Sequence, residues 1–169
     1  MKDYKKEGEI KGSLELDGNL ILTGDLKVEK WIEVSGYIDC AGYSIEAGDF
    51  IEAGDFIEAG GFIEAGGFIE AGDSIEAGGF IKAGDSHGIK SSLYITAKSY
   101  ISCGLNIYAG ICEWREVNDE EKTVTCSELR NGNVEYGILK ETGVDEKITI
   151  KISKKSLEAL KESGIEIVE

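Results

Sequence analysis

The chain has 169 residues, 41% hydrophobic and 30% charged, with 33 acidic against 18 basic side chains and a formal net charge of −15. Its 23 glycines and zero prolines describe neither a linker nor a proline-rich ligand, and the hydrophobic share is too high for a disordered acidic tail. Direct nucleic-acid binding is not expected, since the acids outnumber the Lys and Arg that would neutralise phosphates, and a membrane span is excluded by the lack of any run near ~18 apolar residues.

The amino-terminal run MKDYKKEGEIKG is basic but has no apolar core behind it, so it does not read as a signal peptide. The expected setting is the cytoplasm. Residues 1–12 are expected to cover one end of a repeat body. From residue 13 the chain repeats itself, first loosely as SLELDG, NLILTG, DLKVEK, WIEVSG and YIDCAGY. Residues 44–85 then contain seven near-identical hexads of the type FIEAGD. The pattern resumes as GIKSSL, YITAKS, YISCGL and NIYAG after a slip at Ser86 and His87. A large aliphatic therefore recurs from Leu14 to Ile107 with only two phase slips.

A strict six-residue period walks around an α-helix and cannot give it an apolar face. Within a hexad the order is out, in, out, in (Phe50, Ile51, Glu52, Ala53), and Gly54-Asp55 then supplies turn chemistry. That is a short strand and a bend. A unit so small buries nothing alone, so the hexads must stack as a single-stranded parallel β-helix with strands ~4.8 Å apart. Three hexads per coil would give a triangular prism of roughly five coils over residues 13–110. Two would give a flatter ribbon of about eight. Three is preferred, since it stacks corner residues like on like, Asp55 over Asp73 and Gly61 over Gly79.

The period resembles that of hexapeptide-repeat left-handed β-helices such as acyltransferases, although that family puts a small residue four after the aliphatic, where this chain has Asp49, Asp55 or Gly61. The run GSLELDGNLILTGDLKVEKWIEVSG is similar to bactofilins and other polymer-forming β-helices. The IEAG-type repeats resemble uncharacterised proteins of Gram-positive bacteria and their phages.

After Gly110 the period ends, and residues 111–169 are expected to be a small β-rich α+β cap. KTVTCSEL and VEYGILK read as strands of a hairpin turning at Asn131-Gly132-Asn133. KITIKI is a further strand, a short helix follows over 154–163, and IEIV ends the chain. Trp114 and Leu105 are expected near the junction.

The outward residue after each aliphatic is Glu46, Glu52, Glu58, Glu64, Glu70 and Glu76, then Lys82. With Asp49, Asp55, Asp73 and Asp85, residues 44–85 hold ten acids and one base. On three faces that is a charge every ~1.6 Å of axis, close to the spacing of about 1.7 Å in duplex DNA. Stacked carboxylates repel by roughly 1 kcal/mol per neighbouring pair even in water. Solubility alone, or duplication of one module, would also account for the Glu. The outward Phe50, Phe56, Phe62, Phe68 and Phe80, with Tyr43 before them, read either as rings stacked along the sheet or as a contact patch.

The lone histidine, His87, lies in a two-residue slip too short to build the acceptor pocket that the acyltransferase resemblance implies. Cys40 and Cys103 take inward slots otherwise held by Ala. Cys112 and Cys126 flank VNDEEK without a metal-ligand spacing, and free thiols are expected over a disulfide. No catalytic residue, metal site or cofactor is read. The expected function is that of a non-enzymatic acidic protein whose carboxylates imitate nucleic acid and block a basic nucleic-acid-binding protein. A phage-encoded inhibitor of host defence, of anti-CRISPR or anti-restriction type, would suit such a chain. The alternative is a structural, self-associating β-helix of bactofilin-like or virion-associated kind.

Overall fold

In the computed structural model, residues 1–143 are described. They form eighteen strands: β1 (Asp3–Ile10), β2 (Leu14–Leu16), β3 (Asn19–Val28), β4 (Ile32–Val34), β5 (Ile38–Asp39), β6 (Ile45–Ala47), β7 (Ile51–Ala53), β8 (Ile57–Ala59) and β9 (Ile63–Ala65) make the first half. The second half is β10 (Ile69–Ala71), β11 (Ile75–Ala77), β12 (Ile81–Lys82), β13 (Ile89–Ser91), β14 (Ile95–Ala97), β15 (Tyr100–Ala109), β16 (Thr123–Cys126), β17 (Glu128–Tyr136) and β18 (Ile138–Glu141). All pairings are parallel and all strands belong to one sheet. The described residues are thus a β-solenoid.

From β6 to β12 every strand bonds to the third strand before it and the third after it. Ile51 stands opposite Ile69 and Ile57 opposite Ile75, eighteen residues apart. The Ile51 N–H donates to the Phe68 carbonyl at 3.0 Å, and the Gly72 N–H donates to the Ala53 carbonyl at 3.0 Å. The longest ladder, β1–β3–β5–β8–β11–β14–β16–β18, contains eight strands. Five of these come from the hexads; the other three, β1, β16 and β18, lie outside the repeats that the sequence predicts as rungs.

All sixteen periodic aliphatics, Leu14 to Ile107, are buried, and the central isoleucines are wholly so. The second inward residue, usually Ala, completes a narrow core that needs no other layer. Fully burying an isoleucine is worth about 1.5–3 kcal/mol, and the column repeats that gain in every strand.

The corner decides which residue ends each strand. A Cβ on Gly54, Gly66, Gly72, Gly78 or Gly84 would run into the backbone carbonyl of the coil beneath, that of Gly54 in the case of Gly72. In the central hexads the third residue after the aliphatic is therefore glycine, whereas Asp17, Thr23, Glu29, Ser35, Ser92 and Lys98 take that slot in the looser repeats on either side. The fourth is freer, which is why Asp or Gly stands there and why the pattern departs from that of the hexapeptide family.

The two slips are absorbed locally. Ala41, with φ 46°, takes up the extra residue before β6, so that Leu26 stands opposite Ile45. A tight turn from Gly84 to His87 takes up the next, so that Ile69 stands opposite Ile89.

The hairpin expected at Asn131-Gly132-Asn133 is not formed. β17 runs straight through these residues and pairs parallel with β15. Gly132, with φ 105°, serves an irregular register there and not a reversal. Val124, Leu129, Val134 and Leu139 stand on Ile95, Ile101, Ile107 and Val124. The aliphatic period has shortened from six to five, which a search for hexads misses. Between β15 and β16 lies an excursion, residues 110–122, held by a bidentate Arg115–Glu121 pair at 2.8 Å and by Asn118 Oδ1, which accepts from the Glu120 and Glu121 N–H groups. Trp114 is 66% exposed on it and Leu105 is 55% exposed nearby in sequence. The expected KITIKI strand, the helix over 154–163 and the IEIV strand fall outside the described residues.

Gly72→Ala is expected to cost about 1–3 kcal/mol through overpacking. Gly42→Ala, with nothing within 4 Å of the added carbon, is expected to be neutral. Thermal unfolding followed by circular dichroism compares the two, and equal melting temperatures would refute the corner argument.

Candidate functional site: the stacked carboxylates

Outward residues at equivalent positions are forced one above another by the register, so each ladder has its own charge sequence. On the ladder β2–β4–β7–β10–β13 the order is Glu15, Glu33, Glu52, Glu70, Lys90. Four carboxylates follow one another before a cation appears, and Lys90 Nζ donates to Glu70 Oε1 at 2.6 Å. Glu52 sits in the middle. Its pKa is raised above the ordinary 4.5, first by burial, then by Glu70 and Glu33, against a smaller opposing pull from Lys90.

The other two ladders differ. The order Glu9, Lys27, Glu46, Glu64, Lys82 brackets Glu46 and Glu64 with cations. Lys27 pairs with Glu46, and Lys82 pairs with Glu64 at 2.7 Å. The third runs Ile21, Asp39, Glu58, Glu76, Thr96, Thr125, Lys140. There the Tyr94 hydroxyl donates to Glu76 at 2.7 Å, which raises the Tyr94 pKa. The acids singled out in the sequence therefore do not form one uniform surface. Glu52 and Glu70 lie on the acidic ladder, Glu46 and Glu64 on the neutralised one, and Glu58 and Glu76 on the third.

Of the corner acids, Asp55 and Asp73 stack directly, the Asp73 N–H donating to the Asp55 carbonyl at 3.0 Å. Burial, then Asp55, pushes the Asp73 carboxyl up, while Arg115 of the 110–122 excursion pulls it down. Asp49 stands beneath Gly67 and meets no second carboxylate there. Reasoning confined to residues 44–85 misses Glu15 and Glu33, although both occupy the same slot in SLELDG and WIEVSG. It also misses the cation Lys27 for the same reason.

The aromatics form parallel stacks at the strand spacing. Phe50 lies 4.8 Å from Phe68 and 5.9 Å from Trp31. Tyr37 stacks on Phe56, and Phe62 on Phe80 and then on Tyr100, each at 4.8 Å. Tyr43 is shifted out of the row by the extra residue before it: its carbonyl accepts from the Gly61 N–H, while Ser44 Oγ accepts from the Phe62 N–H.

His87 is exposed, with its carbonyl accepting from the Gly104 and Leu105 N–H groups. All four cysteines are free thiols; Cys40, Cys103 and also Cys126 point inward, and burial raises the pKa of each of these three. Among the described residues, no helix is long and apolar enough to cross a membrane. No protein-family model, curated protein or solved structure matches the chain.

The raised Glu52 pKa sets the sign of a pH effect. The folded state holds that proton to higher pH than the unfolded chain does, so this group's contribution to stability falls as pH rises above 4.5 toward neutrality. Glu52→Gln is expected to raise the melting temperature at pH 7 and to flatten its dependence between mildly acidic and neutral pH. Thermal melts at several pH values measure this, and a variant less stable than wild type at pH 7 would contradict it.

Proposed function

We propose that the protein is a non-enzymatic binding module whose acidic ladder engages the basic groove of a nucleic-acid-binding protein, in competition with DNA or RNA. The supporting observation is the run of four successive carboxylates, Glu15, Glu33, Glu52 and Glu70. The neighbouring ladder sets Lys27 between Glu9 and Glu46, whereas this one carries four carboxylates in a row and meets its first cation at Lys90, which pairs with Glu70 at the end of the run. A coil taken as three hexads around a triangular section carries three outward acids, Glu46, Glu52 and Glu58; with Glu46 held by Lys27, two remain, about one per 2.4 Å of axis against about 1.7 Å in duplex DNA. Asp49, Asp55 and Asp73 at the corners extend the surface. Recognition of this kind is electrostatic and falls with ionic strength.

Binding of a ten-residue polyarginine peptide, measured by fluorescence anisotropy at low and moderate salt, tests the ladder itself. The triple reversal Glu33→Lys, Glu52→Lys, Glu70→Lys is expected to weaken binding more than tenfold, and Glu46→Lys with Glu64→Lys less than threefold. Equal losses per charge reversed would reduce the ladder to net charge. Proteins captured from a bacterial lysate should be released by duplex DNA; capture indifferent to DNA would end the mimicry reading.

The structural alternative rests on a different observation. β1 has no strand on its outer side among the described residues, and such an edge can template another chain. Lys5, Lys6, Glu7 and Glu9 on that edge oppose such pairing. Light scattering across protein concentration separates the two: concentration-dependent growth into large assemblies favours the structural role, and a discrete species the binding module.

A further inference from the structure

Three aromatic stacks climb the corners of the solenoid, and they end differently toward the carboxyl terminus. The stack Phe62–Phe80–Tyr100 is closed by Arg130, whose guanidinium carbon lies 3.7 Å from the Tyr100 ring centre. The stack Tyr37–Phe56 is followed by Ser74, which is itself buried, with Tyr94 hydrogen-bonded beside it to Glu76. Among the described residues, the stack Trp31–Phe50–Phe68 has no such closure. The position above Phe68 belongs to Gly88, whose carbonyl accepts from the Ile69 N–H and which offers no side chain.

A surface notch of about 180 Å³ opens there, lined by Phe68, Gly88, Asn106 and Tyr108 together with Glu70 and Lys90. One wall is fixed by the Asn106 side-chain amide, which donates to the Tyr108 hydroxyl at 3.1 Å. The floor is the half-buried ring of Phe68. No side chain of this chain can grow into the gap from Gly88, since a Cβ there would strike the Asn106 carbonyl.

We propose that the Gly88 notch is a binding site for a flat aromatic ring, which stacks on Phe68 and continues the Trp31–Phe50–Phe68 ladder by one rung. Parallel rings at the ladder spacing are favourable beyond the area they bury, and a ring in the notch also covers the exposed face of Phe68. The Asn106 amide and the Lys90–Glu70 pair give the rim polar groups that orient a substituted ring. The site adjoins the acidic ladder at Glu70 but does not depend on the acidic ladder's role. The ring can come from a free small molecule or from an aromatic side chain of a basic partner.

Titration of the ¹⁵N-labelled protein with indole, with the tripeptide Lys-Trp-Lys and with cyclohexanol tests the site. Indole and the peptide are expected to shift the amide signals of Gly88, Ile89 and Asn106 saturably. Phe68→Leu is expected to weaken both at least fivefold, and Phe80→Leu, in a closed stack, less than twofold. Tighter binding of the peptide than of indole assigns the ring to a basic partner's side chain; equal binding assigns it to a free aromatic molecule. Shifts spread evenly over the three corners, cyclohexanol binding as well as indole, or equal effects of the two Phe substitutions would each overturn the proposal. If Phe68→Leu does not fold, the location of the shifts and the cyclohexanol comparison on the wild type decide the matter.

Discussion

The structure depends on how closely one coil rests on the next. Parallel strands must lie about 4.8 Å apart to hydrogen-bond. At the bends of the central hexads, the backbone of one coil passes so close over the carbonyl of the coil beneath that a Cβ would strike it, and glycine stands there. That contact sets the hexad. Two inward residues, one outward residue between them and a corner glycine recur because each coil must repeat the geometry of the one it covers. Where the chain adds a residue or two, as at Ala41 and around His87, the excess is confined to the corner and the next strand returns to register.

Register then acts on every outward side chain alike. It places ring over ring and carboxylate over carboxylate. The first outcome stabilises the solenoid: five parallel aromatic contacts, four of them at 4.8 Å, line its corners. The second costs stability, and Glu52 records that cost in a raised pKa due to burial and to Glu70 and Glu33. One ladder sets Lys27 between Glu9 and Glu46, whereas the ladder from Glu15 to Glu70 runs through four carboxylates before Lys90 meets the last of them. A solubilising face needs no such arrangement, since alternating charges would serve it as well. That contrast within a single molecule is the ground for the proposed binding role.

The amino-acid sequence by itself determined the strands, their direction and the inward faces of the hexads. A six-residue alternation with glycine corners has no helical solution, and a three-residue strand has no stable state outside a stack. The same ground puts Cys40 and Cys103 in the core, where they lie. The tertiary structure decided what depends on which residues meet between coils. The ten acids of the central block look equivalent in the sequence, but an eighteen-residue register deals them to different ladders with different cations. Glu15, Glu33 and Lys27 enter the site only through that pairing. Past Gly110, Asn131-Gly132-Asn133 has the local chemistry of a hairpin. The exposed edge of β15 captured the segment as a parallel strand, because pairing with a ready-made rung satisfies more backbone than a reversal would. The open place above Phe68 is likewise invisible in one dimension, since Gly88 and Phe68 become neighbours only when one coil closes over another.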